Sequence, residues 1–146
     1  MNKRARRQAA GQSGVTLIEM MVVVTIIALF AALVLPKMMH QADRARTTAA
    51  HAQINAYLTA LGSYKLDTGV FPTTDQGLQA LRQKPEDVEN WQGPYLQKEI
   101  ENDPWGHPYV YRFPGEHGDE PDLVSLGADG APGGDGINAD IVSWKN

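Results

Sequence analysis

The feature that most constrains this chain is an apolar run of 21 residues, Val15 to Leu35, interrupted only by Thr16, Glu19 and Thr25. At about 1.5 Å per residue, such a run as a helix spans roughly the 30 Å hydrocarbon core of a bilayer. A buried core helix is the alternative, but a domain of this size seldom needs so long an apolar run. The chain has 146 residues, room for one ordinary domain besides this segment. Charge divides along the same line. Lys3, Arg4, Arg6 and Arg7 give the first 14 residues +4, and the remainder, with 9 basic and 17 acidic side chains, carries −8. A basic block before an apolar span stays in the cytoplasm, so the segment beyond Pro36 is expected outside. There are no cysteines, which excludes disulfides, thiol nucleophiles and cysteine-ligated metals.

Two membrane readings fit this pattern. One is a signal peptide cut late, near Ala31 and Ala32. The other keeps the helix and removes only the basic leader. Glu19 separates them. A carboxylate in a membrane span costs at least ~2.5 kcal/mol near its centre, less near an end, and marks a functional position by default. The string Ser13-Gly14-Val15-Thr16-Leu17-Ile18-Glu19 before an apolar run resembles the processing site of the type IV pilin-like superfamily. The resemblance implies that a prepilin peptidase cuts between Gly14 and Val15 and N-methylates Val15, where the family more often has Phe. It also implies that Glu19 pairs with the amino terminus of a neighbouring subunit. Each buried charge is costly alone and the pair offsets that cost, so Glu19 sets register in a fibre.

Beyond Pro36, which is expected to kink or loosen the helix, Met38, Ala42, Ala45, Ala49 and Ala52 step by three or four. Ile54, Tyr57, Leu58, Leu61 and Tyr64 continue the apolar face, with Asp43, Arg46, Gln53 and Asn55 opposite. The pattern predicts one helix to about Leu66, stopped by Asp67-Thr68-Gly69. Two helices hinged at Pro36 are the alternative. In the head, Thr73 and Gln76 form a capping box for a short helix carrying Leu78 and Leu81. Asp103-Pro104-Trp105-Gly106 is a turn. Tyr109–Phe113, Asp122–Leu126 and Ile141–Trp144 are expected strands. The fold class is therefore α+β, a long N-terminal helix whose first half spans the membrane and whose second half packs on a head with a short helix and a roughly three-stranded antiparallel sheet. The segments are a cleaved leader at 1–14, a fibre-core helix at 15–36, an amphipathic half-helix at 37–68 and a head at 69–146.

Residues 127–140 read GADGAPGGDGINAD. Five glycines and a proline build no regular element. Asp129, Asp135, Asn138 and Asp140 supply hard oxygens without histidine or cysteine nearby, a donor set that suits Ca²⁺. A flexible solvated loop is the alternative. The loop joins two strands that must pair, and a metal is a substitute staple for a small fold without disulfides.

Elsewhere, His40, His51, His107 and His117 lack metal-ligand spacing, and Ser125 and Ser143 lack nucleophile context. Trp91, Trp105 and Trp144 read as core or loop anchors. The acidic surface argues against nucleic acid. No catalytic cluster is present, so the chain is not expected to be an enzyme.

Tyr64-Lys65-Leu66-Asp67, Phe71-Pro72-Thr73-Thr74-Asp75-Gln76-Gly77-Leu78, Asp103-Pro104-Trp105-Gly106, Ser125-Leu126-Gly127-Ala128-Asp129-Gly130 and Ala139-Asp140-Ile141 narrow the resemblance. Together they resemble the major pseudopilin family of type II secretion, general secretion pathway protein G. That implies a structural subunit polymerising into a pseudopilus that helps export folded proteins across the outer membrane. Implied partners are further copies of the chain, minor pseudopilins, the prepilin peptidase, membrane lipid, an inner-membrane platform and a cytoplasmic ATPase. The implied location is the inner membrane, amino end inside and head in the periplasm. The resemblance further implies one structural Ca²⁺ in loop 126–140, held by Asp129, Asp140 and the backbone carbonyls of Leu126 and Ala131. Ala139 stands where the family has a second aspartate, and Asn138 or Asp135 takes that place. The rivals are a motility or adhesion pilus subunit and a membrane-tethered calcium-dependent hydrolase.

Overall fold

The computed structural model describes residues 14–145, without the side chain of Pro36. The leader charges at positions 3–7 lie outside the described residues. Helix α1 runs Leu17–Thr68, 52 residues, and is helical through Pro36, so the hinged alternative is not what forms. Apolar and helix-favouring residues dominate up to Gly62. The stop comes at Gly69, whose φ of 85° suits glycine and whose N–H bonds the Lys65 carbonyl at 2.8 Å.

The chain divides into two compact units between His40 and Gln41. In the first, the large apolar side chains from Leu17 to Leu35 are 42–79% exposed. This half of α1 is long and apolar enough to cross a membrane. In the second, Ala50, Ile54, Tyr57, Leu61 and Tyr64 are buried against Phe71, Leu78, Leu81, Tyr111, Leu123 and Ile141. Each large apolar side chain buried there contributes about 1.5–3 kcal/mol. Within this second unit, tyrosines also tie the helix to the head. The Tyr109 hydroxyl donates to Gln53 Oε1 at 2.7 Å, and the Tyr95 hydroxyl to Asp67 Oδ2 at 2.8 Å.

The helix phase corrects one expectation. Ala42, Ala45, Ala49 and Ala52 are exposed, and the buried stripe instead passes through Ala50, with Asp43, Thr47 and Gln53 half-buried. Alanines occur on both sides of this stretch, so their spacing does not say which side packs. The large residues from Ile54 onward do.

Strands β1 (Val110–Arg112), β2 (Asp122–Ser125) and β3 (Ile141–Val142) form one antiparallel sheet in the order β1-β2-β3. Tyr111 faces Leu123, and Ser125 faces Ile141. The Thr73–Gln76 capping box forms: the Gln76 N–H donates to Thr73 Oγ1 at 3.3 Å, and the Thr73 N–H to Gln76 Oε1 at 2.9 Å. It closes a turn rather than an α-helix. Gly77, at φ 58°, breaks the run and leads into a four-residue 3-10 helix, Leu78–Leu81.

Candidate processing, assembly and metal-binding sites

Gly14 and Val15 are exposed and lie outside any regular element, before α1. Thr16 is the helix cap: its Oγ1 accepts the Glu19 N–H at 3.3 Å, and its carbonyl accepts the Met20 N–H at 3.2 Å. Thr16-Leu17-Ile18-Glu19 has capping-box spacing, a local signal that sequence reasoning missed. The Gly14–Val15 bond thus lies outside the helix, where backbone is open to a peptidase. Glu19 sits in the first helical turn, is exposed, and has no ion pair among the described residues.

In loop 126–140 two limbs are tied together. The Ala128 N–H donates to the Ile137 carbonyl at 3.0 Å, and the Asp140 N–H to the Gly133 carbonyl at 3.2 Å. The Gly133 N–H returns a bond to Asp140 Oδ2 at 2.9 Å. Gly127, at φ 64°, lies so close to the other limb that a Cβ there would sit 2.9 Å from the Ala139 carbonyl oxygen. Gly127 is therefore brought against Asn138 and Ala139. Asp129 is exposed, and its Oδ1 accepts the Ala131 N–H at 3.1 Å, within its own turn. Asp135 is exposed and precedes a short 3-10 helix, Gly136–Asn138. Among the described residues no three His, Cys, Asp or Glu side chains converge as a metal cluster. A cation here would need backbone and amide oxygens as well. One observation favours it: Asp140 Oδ1 is buried without a hydrogen-bond partner. Such an atom is costly unless something satisfies it, and a hard cation does.

Beneath the loop lies a network that sequence reasoning also missed. Asp103 is buried. Its Oδ1 accepts the N–H groups of Trp105 (3.1 Å) and His107 (2.8 Å), and its Oδ2 accepts the Ser125 hydroxyl at 2.6 Å. His107 Nδ1 lies 3.0 Å from the Gly127 carbonyl. A carbonyl only accepts, so this nitrogen carries the hydrogen. The Asp103–Gly106 turn thus buttresses the start of the loop. Ser125→Ala leaves Asp103 Oδ2 without its donor and is expected to cost about 1–3 kcal/mol. Denaturant melts of the two proteins measure this.

A second carboxylate, Asp122, closes the β1–β2 loop. Its Oδ2 accepts the Glu116 N–H at 2.8 Å and lies 2.9 Å from His117 Nδ1. Burial alone would push its carboxyl up, but the His117 and Glu116 hydrogen bonds and the His117 charge outweigh this and hold it below the ordinary value. His117 also stacks on Trp144, centroids 3.6 Å apart and 6° from parallel. Trp144 is a loop anchor, as is Trp91, whose Nε1 donates to the Ala80 carbonyl at 2.8 Å. A depressed carboxylate contributes stability that is present above its unfolded value, about 3.9, and lost as pH falls through the folded one. Asp122→Asn should therefore be less stable than wild type at neutral pH, with the gap closing below about pH 4. Equal melting points at pH 7 would contradict this.

An exposed apolar half-helix behind a capped N-terminus, with a second half seated on a small antiparallel head, defines a pilin-like subunit. Comparisons make the class particular. The family model for type II secretion system protein G matches residues 37–144, and the prokaryotic N-terminal methylation motif matches residues 10–35. The type II secretion system core protein G of Pseudomonas aeruginosa is 49% identical over 144 residues, 97% of this chain and 99% of that protein. The protein of the same name from Vibrio cholerae is 46% identical, covering 92% of each. A crystal structure of the major pseudopilin from the type 2 secretion system of enterohaemorrhagic Escherichia coli aligns with a TM-score of 0.63 and 34% identity, over 73% of this chain and 88% of that one. The chain belongs to the type II secretion system protein G family.

Proposed function

We propose that the protein is the major structural subunit of a type II secretion pseudopilus. The observation that carries this is the family match across the head and stem, 37–144, behind an N-terminal methylation motif. The subunit would wait in the inner membrane with its amino end in the cytoplasm and its head in the periplasm. A prepilin peptidase would release residues 1–14 and methylate Val15. Further copies would then join through the apolar half of α1, where Ala28, Ala31 and Ala32 allow close approach. Minor pseudopilins, an inner-membrane platform and a cytoplasmic ATPase would be its assembly partners, and the growing fibre would help export folded proteins. A strain lacking the gene, complemented with this chain, tests the reading. Secretion of folded cargo should return, and the mature protein should begin at N-methylated Val15. A mature start near Leu33, or motility restored without secretion, would refute it.

A structural Ca²⁺ in loop 126–140 is the second part of the proposal. Asp140 would hold it through the partnerless Oδ1, with Asp129, Asn138 and the carbonyls of Leu126 and Ala131, and Asp135 as the outermost candidate. The ion would supply charge that fastens the two limbs of the loop. The chain's own hydrogen bonds, Asp140 to Gly133 and His107 to Gly127, orient the donors.

A further inference from the structure

The sequence contains two Asp-Gly steps, Asp129-Gly130 and Asp135-Gly136, and no Asn-Gly. Both lie in the glycine-rich loop, yet the structure holds them differently. Asp129 Oδ1 accepts the Ala131 N–H at 3.1 Å. Gly130 is half-buried, and a Cβ on it would stand 2.9 Å from His107 Nε2. That imidazole is itself fixed, by Nδ1 on the Gly127 carbonyl at 3.0 Å and by the His107 N–H on Asp103 Oδ1 at 2.8 Å. Both residues of the first step are therefore clamped. Asp135 and Gly136 are exposed. Among the described residues the Asp135 carboxylate has no ion pair, and it makes no capping bond to the short helix it precedes. Gly136 opens that 3-10 helix, so its N–H is one of the donors a helix start leaves without an internal partner. A Cβ on Gly136 would meet nothing within 4 Å. Asp135 sits at φ −129° and ψ 154°, and Gly133, Gly134 and Gly136, all at positive φ, surround it with backbone that turns easily.

A free carboxyl group beside an unhindered glycine amide is an electrophile beside a nucleophile. We propose that Asp135 is a site of spontaneous isoaspartate formation, with Gly136 as the attacking residue. The Gly136 nitrogen bonds to Asp135 Cγ. The hydroxyl of the protonated carboxyl group leaves with the Gly136 amide hydrogen as water, and a succinimide ring closes. Water then adds to one of the two ring carbonyls and breaks its bond to nitrogen. Opening at the main-chain carbonyl leaves the Asp135 side chain as the link to Gly136 and the former main-chain carbonyl as a free carboxylate. The water lost is regained, and nothing is oxidised or reduced. The product has the same mass and charge but one more methylene in the main chain. The Asp135 carbonyl, which accepts the Asn138 N–H at 3.2 Å, is then no longer part of that chain. The limb whose Ile137 carbonyl receives the Ala128 N–H at 3.0 Å slackens with it. The modification thus loosens the tie between the two limbs of the loop as a subunit ages.

The test ages the full chain, folded in detergent, at mildly acidic pH in heavy-oxygen water. EDTA is present so that no cation shields either carboxylate, which keeps this inference separate from the calcium reading. Trypsin then releases residues 113–145 as one peptide. Fragmentation of that peptide locates isoaspartate and the heavy oxygen left by ring opening. Asp135 should convert at least about fivefold faster than Asp129, whose hydrogen bond and His107 contact must open first. In guanidinium chloride, where the clamp is gone, the two rates should agree within about twofold. Those two results together support the site. Equal rates in the folded chain, or the same ratio folded and unfolded, overturn it, because sequence alone would then set the reaction. Asp135 left without label in the folded chain overturns it as well.

Discussion

Glu19→Ala is expected to reach the membrane at the normal level, to be cut between Gly14 and Val15, and to yield almost no fibres. The two halves of this result have opposite physical signs. For the lone subunit, removing a carboxylate from an apolar helix relieves an insertion cost. In the proposed fibre, where Glu19 would pair with a neighbour's amino terminus in a low-dielectric core, the same change would leave that terminus without its counter-charge. Breaking one partner of a buried pair costs about 3–5 kcal/mol, which is over a hundredfold in each addition equilibrium. Glu19 has no ion pair of its own among the described residues and lies one turn into α1, beside the new terminus. Glu19→Gln separates charge from size. Fibres from the glutamine variant at wild-type yield would show that the carboxylate's charge does not guide addition. A similar loss with Gln and Ala would show that it does.

The stem was legible because its signals are strong and local. The apolar run fixes the first half of α1, the residues from Ile54 to Tyr64 fix the buried stripe, and Gly69 fixes the end. Between Ala42 and Ala52 the phase was not legible, since alanine suits a helix on any face and marks none. The exposed alanine sector is that misreading seen from the other side. In the head, Thr73 and Gln76 announced their reciprocal bonds correctly, but Gly77 ended the segment after a turn. Asp103 was legible only as a turn residue. Its burial depends on Ser125, 22 residues away and on another element, and no local pattern reports such a pairing. The loop composition identified a set of oxygens, while which of them meet depends on how Gly127 and Gly133 let the two limbs approach.

Chelation is expected to soften the head substantially. In detergent with calcium at about 100 times its dissociation constant, a site bound only in the folded state contributes about 2.7 kcal/mol. For a domain near 100 residues that corresponds to a melting shift of about 10 °C or more on adding EDTA. Calcium should restore the melting point, and magnesium should not, because it demands a tighter octahedral shell and dehydrates reluctantly. The variants separate ion from scaffold. Asp129 is exposed and bonds only its own turn, so Asp129→Ala should lower the melting point in calcium and leave it nearly unchanged in EDTA. Asp140 also accepts the Gly133 N–H. Asp140→Ala should therefore lose the calcium response and stay below wild type even in EDTA, by about 0.5–1.5 kcal/mol. If EDTA leaves the wild-type melting point unmoved, the ion is absent from the fold. The buried Asp140 Oδ1 would then need another partner, and the Asp103–His107 buttress would be what holds the loop.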